Sequence, residues 1–365
     1  MGKGIKRGLR ASVVVAVASA VVTPMAFASS ADPYADNNDG MVSGQADDWN
    51  NLGILYRVAG PNRIDTAIKL NKSSKKEWSD TVIIGRDDIF ADSLAAGPLA
   101  DVLDAPIYLS APGDSIDARV ISAITGKKKV VLLGGTSVFS EKARAQLQGL
   151  GFQVQRQRGI DRYETAVGIA RRTAQLMDNE GVTPRTVNAY LATGVNFPDA
   201  LTAGTGAADN DGIVLLTKDG QMTNATYDFL QREARTQFNA WNHVEIHTVG
   251  AQAEAAARSS DIEDIKDTNS GADRYATAAM VFSKLNRTNK IVVASGESFQ
   301  DGVVAGAWVS NHDGGMLLTK NTKLPSVTKA QLKRFETGKV DIVVVGGTGS
   351  VARSVTDEIG GMLQW

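Results

Sequence analysis

The chain has 365 residues, with 39 Lys and Arg against 40 Asp and Glu and no cysteine. That balance gives no global basic field for broad capture of nucleic acid or of an anionic surface, although local basic clusters can still meet an anion. The missing thiols remove disulfides, thiol catalysis, iron-sulfur clusters and lipoprotein anchoring together, and a chain of this length implies two or three buried cores.

In chain order, Lys3, Lys6, Arg7 and Arg10 precede an apolar run over residues 11–22 and then small residues, the pattern of a secretory signal peptide. Ala26, Phe27 and Ala28 have the small-x-small form of a cleavage site, so residues 1–28 are the expected leader, with a cut near Ala31 as the alternative. The run is shorter than the about 20 residues of a permanent span, and no membrane span is expected after cleavage. Removal of four basic groups leaves 35 against 40 acidic ones, a net charge of −5. Residues 29–52, rich in Asp and Asn, are expected to be irregular.

Four ordered frames then occur three times. G-x-x-R-x-x-T-A stands at residues 60–67, 159–166 and 271–278, and F-x-D-small-aliphatic-x-A-G at 90–97, 197–204 and 299–306. A buried-looking run closes on Ser110, Thr217 and Thr319. Aliphatic strands lead into Gly134-Gly135-Thr136, Gly250-Ala251-Gln252 and Gly346-Gly347-Thr348. The frame arginines Arg63, Arg162 and Arg274 are 99 and 112 residues apart, so each copy is a globular unit: 53–155, 156–266 and 267–365. Within a copy the reading is helix, strand, helix, strand, helix, strand, helix. Continuous β-branched runs such as Val82-Ile83-Ile84 and Ile291-Val292-Val293 predict strands buried on both faces, hence an α/β sandwich with a mainly parallel sheet. The Ala-Gly pairs 96-97, 203-204 and 305-306 fall in helices, where Gly is unfavourable by about 1 kcal/mol relative to Ala, so close packing is expected against them.

These frames resemble the cell wall binding repeat 2 family, found in threes on surface-layer and autolysin-associated proteins of Gram-positive bacteria. The resemblance implies three tandem Toprim-like α/β units packed as an intramolecular pseudo-trimer that holds an anionic wall polymer non-covalently. It also implies a secreted, wall-associated protein, with a wall hydrolase or surface protein as possible partner. The copies are not identical: the first has Asn62 and Ile64 where the others have Asp and Tyr, and the second has Gly250-Ala251 where the others have Gly-Gly.

The polymer-binding candidates each keep two readings. Arg63, Arg162 and Arg274 present a guanidinium that reads phosphate or carboxylate by paired hydrogen bonds, or they form internal ion pairs with Asp92, Asp199 and Asp301. Those aspartates are polymer contacts or helix caps. Ser110, Thr217 and Thr319 match the family's polymer-contact strand or merely end strands, and Tyr163, Tyr275, Phe197 and Phe299 stack on sugar or pack in the core. The Gly-Gly turns cradle phosphate or simply turn the chain.

No catalytic template fits. Residues 347–352 match a dinucleotide fingerprint, but only 13 residues follow, too few for the next strand and its ribose-binding acid. A Toprim nuclease needs a Glu and an Asp-x-Asp in each site; Glu297 occupies the first place in the third copy alone and Asp-x-Asp is missing from the Gly-Gly turns. The serine elbow G-x-S-x-G does not occur. His243, Glu245 and His247 share one strand face without counterparts in the other copies, and His312 reads as a surface residue. No cofactor and no metal are expected.

Overall fold

The computed structural model describes residues 54–362 apart from 75, 179–185, 235–242, 263–264, 287 and 336–339; the expected leader and the segment 29–52 lie outside the described residues. The first stretch runs β1 (Leu55–Val58), α1 (Arg63–Ser73), β2 (Thr81–Arg86), α2 (Ala96–Leu103), β3 (Ile107–Ser110), α3 (Ala118–Ala123), β4 (Lys129–Leu133) and α4 (Glu141–Gly149). The second runs β5 (Gln153–Gln157), α5 (Arg162–Asp178), β6 (Thr186–Thr193), α6 (Pro198–Asp209), β7 (Gly212–Thr217), α7 (Asn224–Asp228), a π turn (Phe229–Glu233), β8 (His243–Val249) and α8 (Ala251–Ser259). The third runs β9 (Ile265–Asn269), α9 (Arg274–Ser283), β10 (Lys290–Ser295), α10 (Gln300–Ser310), β11 (Gly315–Thr319), α11 (Ser326–Lys333), β12 (Asp341–Val345) and α12 (Arg353–Met362).

These elements build three parallel four-stranded sheets, β3-β2-β4-β5, β7-β6-β8-β9 and β11-β10-β12-β1. Helices alternate with strands, the arrangement the buried β-branched runs predict. Each sheet has one strand more than the sequence pattern suggests, and that strand comes from just before the next copy of G-x-x-R. The third sheet is completed by β1, from before the first copy, so Leu55 pairs with Ile342 and Val58 with Val345. The chain therefore closes on itself through its strands.

The central helices α2, α6 and α10 pack on one another, and α5, α9 and α1 each lie against the central helix of the preceding unit. One core cluster accordingly includes buried residues of all three units, from Leu99 through Leu201 to the fully buried Trp308. The expected close packing occurs at some glycines and not others. A Cβ on Gly97 would lie 3.4 Å from the Gly204 backbone and one on Gly306 3.6 Å from Met316 Cε, whereas one on Gly204 meets nothing within 4 Å. An aspartate in the left-handed region follows each central helix, Asp104 as the C-cap of α2, Asp211 two residues past α6 and Asp313 three past α10, with φ of 51, 49 and 55°, a conformation that aspartate tolerates better than most side chains.

His312 is not a surface residue. It stacks on Trp308 with ring centroids 4.0 Å apart and meets the edge of Trp78 at 5.6 Å. Its Nε2 is 2.6 Å from Ser74 Oγ and its Nδ1 is 2.6 Å from the Trp308 carbonyl, which ties the end of α1 to the end of α10. Burial pushes its pKa down to about 4, and the imidazole is neutral at pH 7.

Candidate functional site

The first frame is a helix-opening device. Asn62, Asp161 and Asp273 cap α1, α5 and α9, accepting from the backbone N–H groups of Asp65, of Tyr163 and Glu164, and of Tyr275 and Ala276. The frame threonines Thr66, Thr165 and Thr277 accept from the N–H of Gly60, Gly159 and Gly271 at 2.9, 3.0 and 3.1 Å. A Cβ on any of those glycines would collide with the helix's first turn, so the frame has no room for another residue there.

That geometry aims the third member of the frame. The Nη1 of Arg63, Arg162 and Arg274 donates to the carbonyls of Asp87, Gly194 and Gly296, the residues just past β2, β6 and β10, at 2.6, 2.6 and 2.5 Å. These carbonyls lie at the carboxyl ends of parallel strands, where open α/β sheets bind ligands. Tyr275 leaves no space for a Cβ on Gly296, at 2.7 Å, and Tyr163 crowds one on Gly194 at 3.0 Å. The first copy departs at both positions together: Ile64 replaces the tyrosine, and the Asp87 carboxylate forms a 3.5 Å ion pair with Arg63.

The arginines reach across unit boundaries. The Arg162 guanidinium sits 5.4 Å from the centroid of Phe90, and that of Arg274 lies 6.0 Å from Phe197. Phe90, Phe197 and Phe299 meet one another, half-buried, with centroids 5.5 to 6.2 Å apart. Beside them Asp92, Asp199 and Asp301 abut Gly134, Gly250 and Gly346, where an added Cβ would strike each carboxylate. Those glycines have φ of 99, 86 and 110°, so the turn and the close approach both require glycine.

Burial raises the Asp199 carboxyl to about 6, opposed by Arg274; burial likewise raises Asp301, opposed by a hydrogen bond from Ser350 and by Arg63. Thus Arg274 and Arg63 each act on an aspartate of the neighbouring unit. Among the described residues no ion pair within 4.0 Å joins Arg63, Arg162 or Arg274 to Asp92, Asp199 or Asp301; Arg63 pairs with Asp87 instead. Nor do the aspartates cap helices through their side chains: Phe197 and Phe299 hold the N-cap positions of α6 and α10, with Asp199 and Asp301 in the first turn.

Ser110, Thr217 and Thr319 are fully buried. Thr217 and Thr319 donate to loop carbonyls at Asp219 and Lys320, and Ser110 Oγ accepts from the Asp117 N–H. Their hydroxyls shape the loops at the strand ends. On β8, His247 contacts Asp267 and Asn188, and Glu245 pairs with Lys266. Among the described residues no group of three or more His, Asp or Glu side chains could hold a metal.

Sequence reasoning passed over a second set of arginines, three residues before the frame glycine. Buried Arg57 donates from Nη1 to the Gly346 carbonyl at 2.7 Å and from Nη2 to Thr356 at 2.5 Å, while Arg156 donates to the carbonyls of Gly134 and Gly135. Each clamps the Gly-Gly turn of the sheet whose edge its own strand forms. Thr268 stands at this position in the second sheet, the one whose turn reads Gly250-Ala251. The signal was there, in two basic residues at one offset from the frame.

Solved structures share this architecture. Cwp6 from Clostridium difficile superposes with a TM-score of 0.70 over 86% of this chain and 48% of that one at 23% identity, and Cwp8 from the same organism with 0.68 over 85% and 51% at 21% identity. Among curated proteins of Bacillus subtilis (strain 168), the chain is 25% identical to N-acetylmuramoyl-L-alanine amidase LytC over 309 residues and 25% identical to the amidase enhancer over 314 residues. It spans 58% and 40% of their lengths. The Cell wall binding domain 2 (CWB2) family matches residues 57–144, 156–254 and 269–356, three quarters of the chain, and the chain belongs to that family.

Proposed function

We propose that this protein is exported and attaches non-covalently to an anionic wall polymer through its three unit junctions, without catalysing a reaction. The observation that carries this reading is the reach of Arg162 and Arg274 across the boundary onto the phenylalanine of the neighbouring unit. A guanidinium with one N–H held by a strand-end carbonyl keeps further donors for phosphate or carboxylate, and the half-buried rings offer an apolar face for a sugar. Two such junctions, with Arg63 beside Asp87 at the third, grip a repeating polymer multivalently. The sequence copies 53–155, 156–266 and 267–365 thus differ from the binding units, each of which takes its arginine from one copy and its Phe and Asp from the one before. Asp199 and Asp301 set the field around Arg274 and Arg63, Asp92 takes the equivalent place beside Gly134, and Ser110, Thr217 and Thr319 support the loops from within. No described helix is long and apolar enough to cross a membrane.

Co-sedimentation of the mature chain, from near Ser29, with purified walls before and after acid extraction of secondary polymers tests the reading. Sedimentation lost on extraction, and lost in Arg162→Gln/Arg274→Gln with an unchanged melt, supports it; no sedimentation with either preparation overturns it. Binding weakens with salt, because a chain of net charge −5 meets an anion only through local arginines. The similarity to the amidase enhancer favours a second reading, that the wall-bound chain assists a separately encoded wall hydrolase.

A further inference from the structure

A second concentration of arginines lies away from the Phe cluster. A cleft of about 540 Å³ between α4, β5 and α5 is lined by Arg144, Arg156, Arg158, Arg172 and Glu141. The one carboxylate is shared: Glu141 Oε2 is 3.4 Å from Arg144 and Oε1 is 3.5 Å from Arg156. Four arginines and one acid therefore line the cleft, in a chain whose overall balance is 39 basic to 40 acidic.

Two donors in the cleft are stranded. The Nε of Arg156 and the Nε of Arg144 are buried with no hydrogen-bond partner, and the Arg156 side chain is only 9% exposed. Neither guanidinium is therefore fully satisfied within the protein, and an unmet donor on a charged group is unfavourable. Burial holds the Arg156 guanidinium below its ordinary pKa, opposed by Glu141 and reinforced by Arg144 and Arg158, so the cluster repels itself when empty.

The collection occurs at one junction. Counted from the frame glycine, Arg156, Arg158 and Arg172 correspond to Arg57, Ala59 and Ser73 in the first copy and to Thr268, Ser270 and Lys284 in the third. Lys284 is answered by Asp267 at 3.4 Å. Threefold packing does not require this cluster.

We propose that this cleft is a second anion site, confined to the junction of the first and second units, that takes closely spaced phosphate groups. The excess of three charges exceeds what one carboxylate can match, and the planar fork of each arginine suits phosphate oxygens. The phosphates are those of a wall phosphodiester polymer or of a free phosphorylated solute. The site stands independently of the junction arginines.

The test is calorimetric titration of the mature chain with inorganic pyrophosphate at low and moderate salt, beside Arg158→Gln/Arg172→Gln and Arg162→Gln. Those two cleft arginines are chosen because they hold no turn carbonyl, unlike Arg156. The expected result is saturable binding that weakens at least tenfold in the double variant, weakens with salt, and is unchanged in Arg162→Gln. Absence of saturable binding, or equal binding by the double variant, overturns the site. Wall sedimentation then separates the sources. A double variant that sediments less with untreated walls, and equally with walls stripped of phosphodiester polymer by hydrofluoric acid, assigns the site to the polymer; unchanged sedimentation beside lost pyrophosphate binding assigns it to a free solute.

Discussion

Asp199→Asn is expected to stabilise the protein at neutral pH and to do nothing in acid. Burial lifts the Asp199 carboxyl to about 6 from 3.8, with Arg274 recovering part of the cost. Between those two values the folded chain holds a proton that the unfolded chain has lost, so the contribution of this group to stability falls as pH rises through the window. The penalty is complete above pH 6 and absent below about 3.8. At 1.36 kcal/mol per unit, it amounts to about 3 kcal/mol at most. Asparagine keeps the shape of the protonated acid and escapes that cost. Urea midpoints at pH 4, 5, 6 and 7.5 measure the gain: the variant's advantage should open from nearly nothing at pH 4 to its full size at pH 7.5. A variant less stable than the parent at pH 7.5, or a difference independent of pH, would refute the reasoning. The same proton should govern ligand capture, with wall binding of the parent strengthening below pH 6 as the charge competing for Arg274 disappears.

Three further outcomes follow from the packing. Gly204→Ala should raise stability by about 1 kcal/mol through helix propensity, because its Cβ enters open space, whereas Gly206→Ala should lower it, with Tyr190 at 2.8 Å and Val281 at 3.0 Å; thermal melts distinguish them. Gly296→Ala should destabilise because Tyr275 Cε1 lies 2.7 Å from the new Cβ, and Tyr275→Ile should recover much of the loss, reproducing the Ile64 and Asp87 combination of the first copy; a double-mutant cycle reads the coupling. His312, depressed to about 4 from 6.5, gives a stability contribution complete above pH 6.5 and lost as pH falls toward 4, so His312→Asn should flatten the acid side of the stability profile measured by urea titration.

Periodicity made the three α/β units legible, because strands such as Ile342-Val343-Val344-Val345 are buried on both faces and keep no polar residue. The edge strands escaped for the opposite reason. Gln153–Gln157 and Ile265–Asn269 carry a single apolar residue each, Val154 and Ile265, at a sheet margin, and nothing local tells them from loop. The frame residues were visible, but their partners were not: that Arg162 would lie over Phe90, 72 residues earlier, is decided by how whole units pack. Phe197 and Phe299 were weighed between core and sugar face, and with Phe90 they stand between the two, half-buried on one another. Ser110, Thr217 and Thr319 kept two readings because a hydroxyl at a strand end looks open to solvent when the loop that covers it cannot be seen; in the fold they are buried.

The strand β1 carries a consequence for copy number. In a solenoid each repeat meets only its neighbours in sequence, so repeats can be added or lost at the ends and caps finish the stack. Here the margin of the third sheet at β12 is filled by Leu55–Val58, with Arg57 reaching 289 residues ahead to the Gly346 carbonyl. A fourth copy would have to be spliced into a ring already shut, and a lost copy would leave β1 without its sheet. The copy number is thus tied to the closure of the third sheet, and a change within a copy, such as the arginines gathered at one junction, leaves that closure intact.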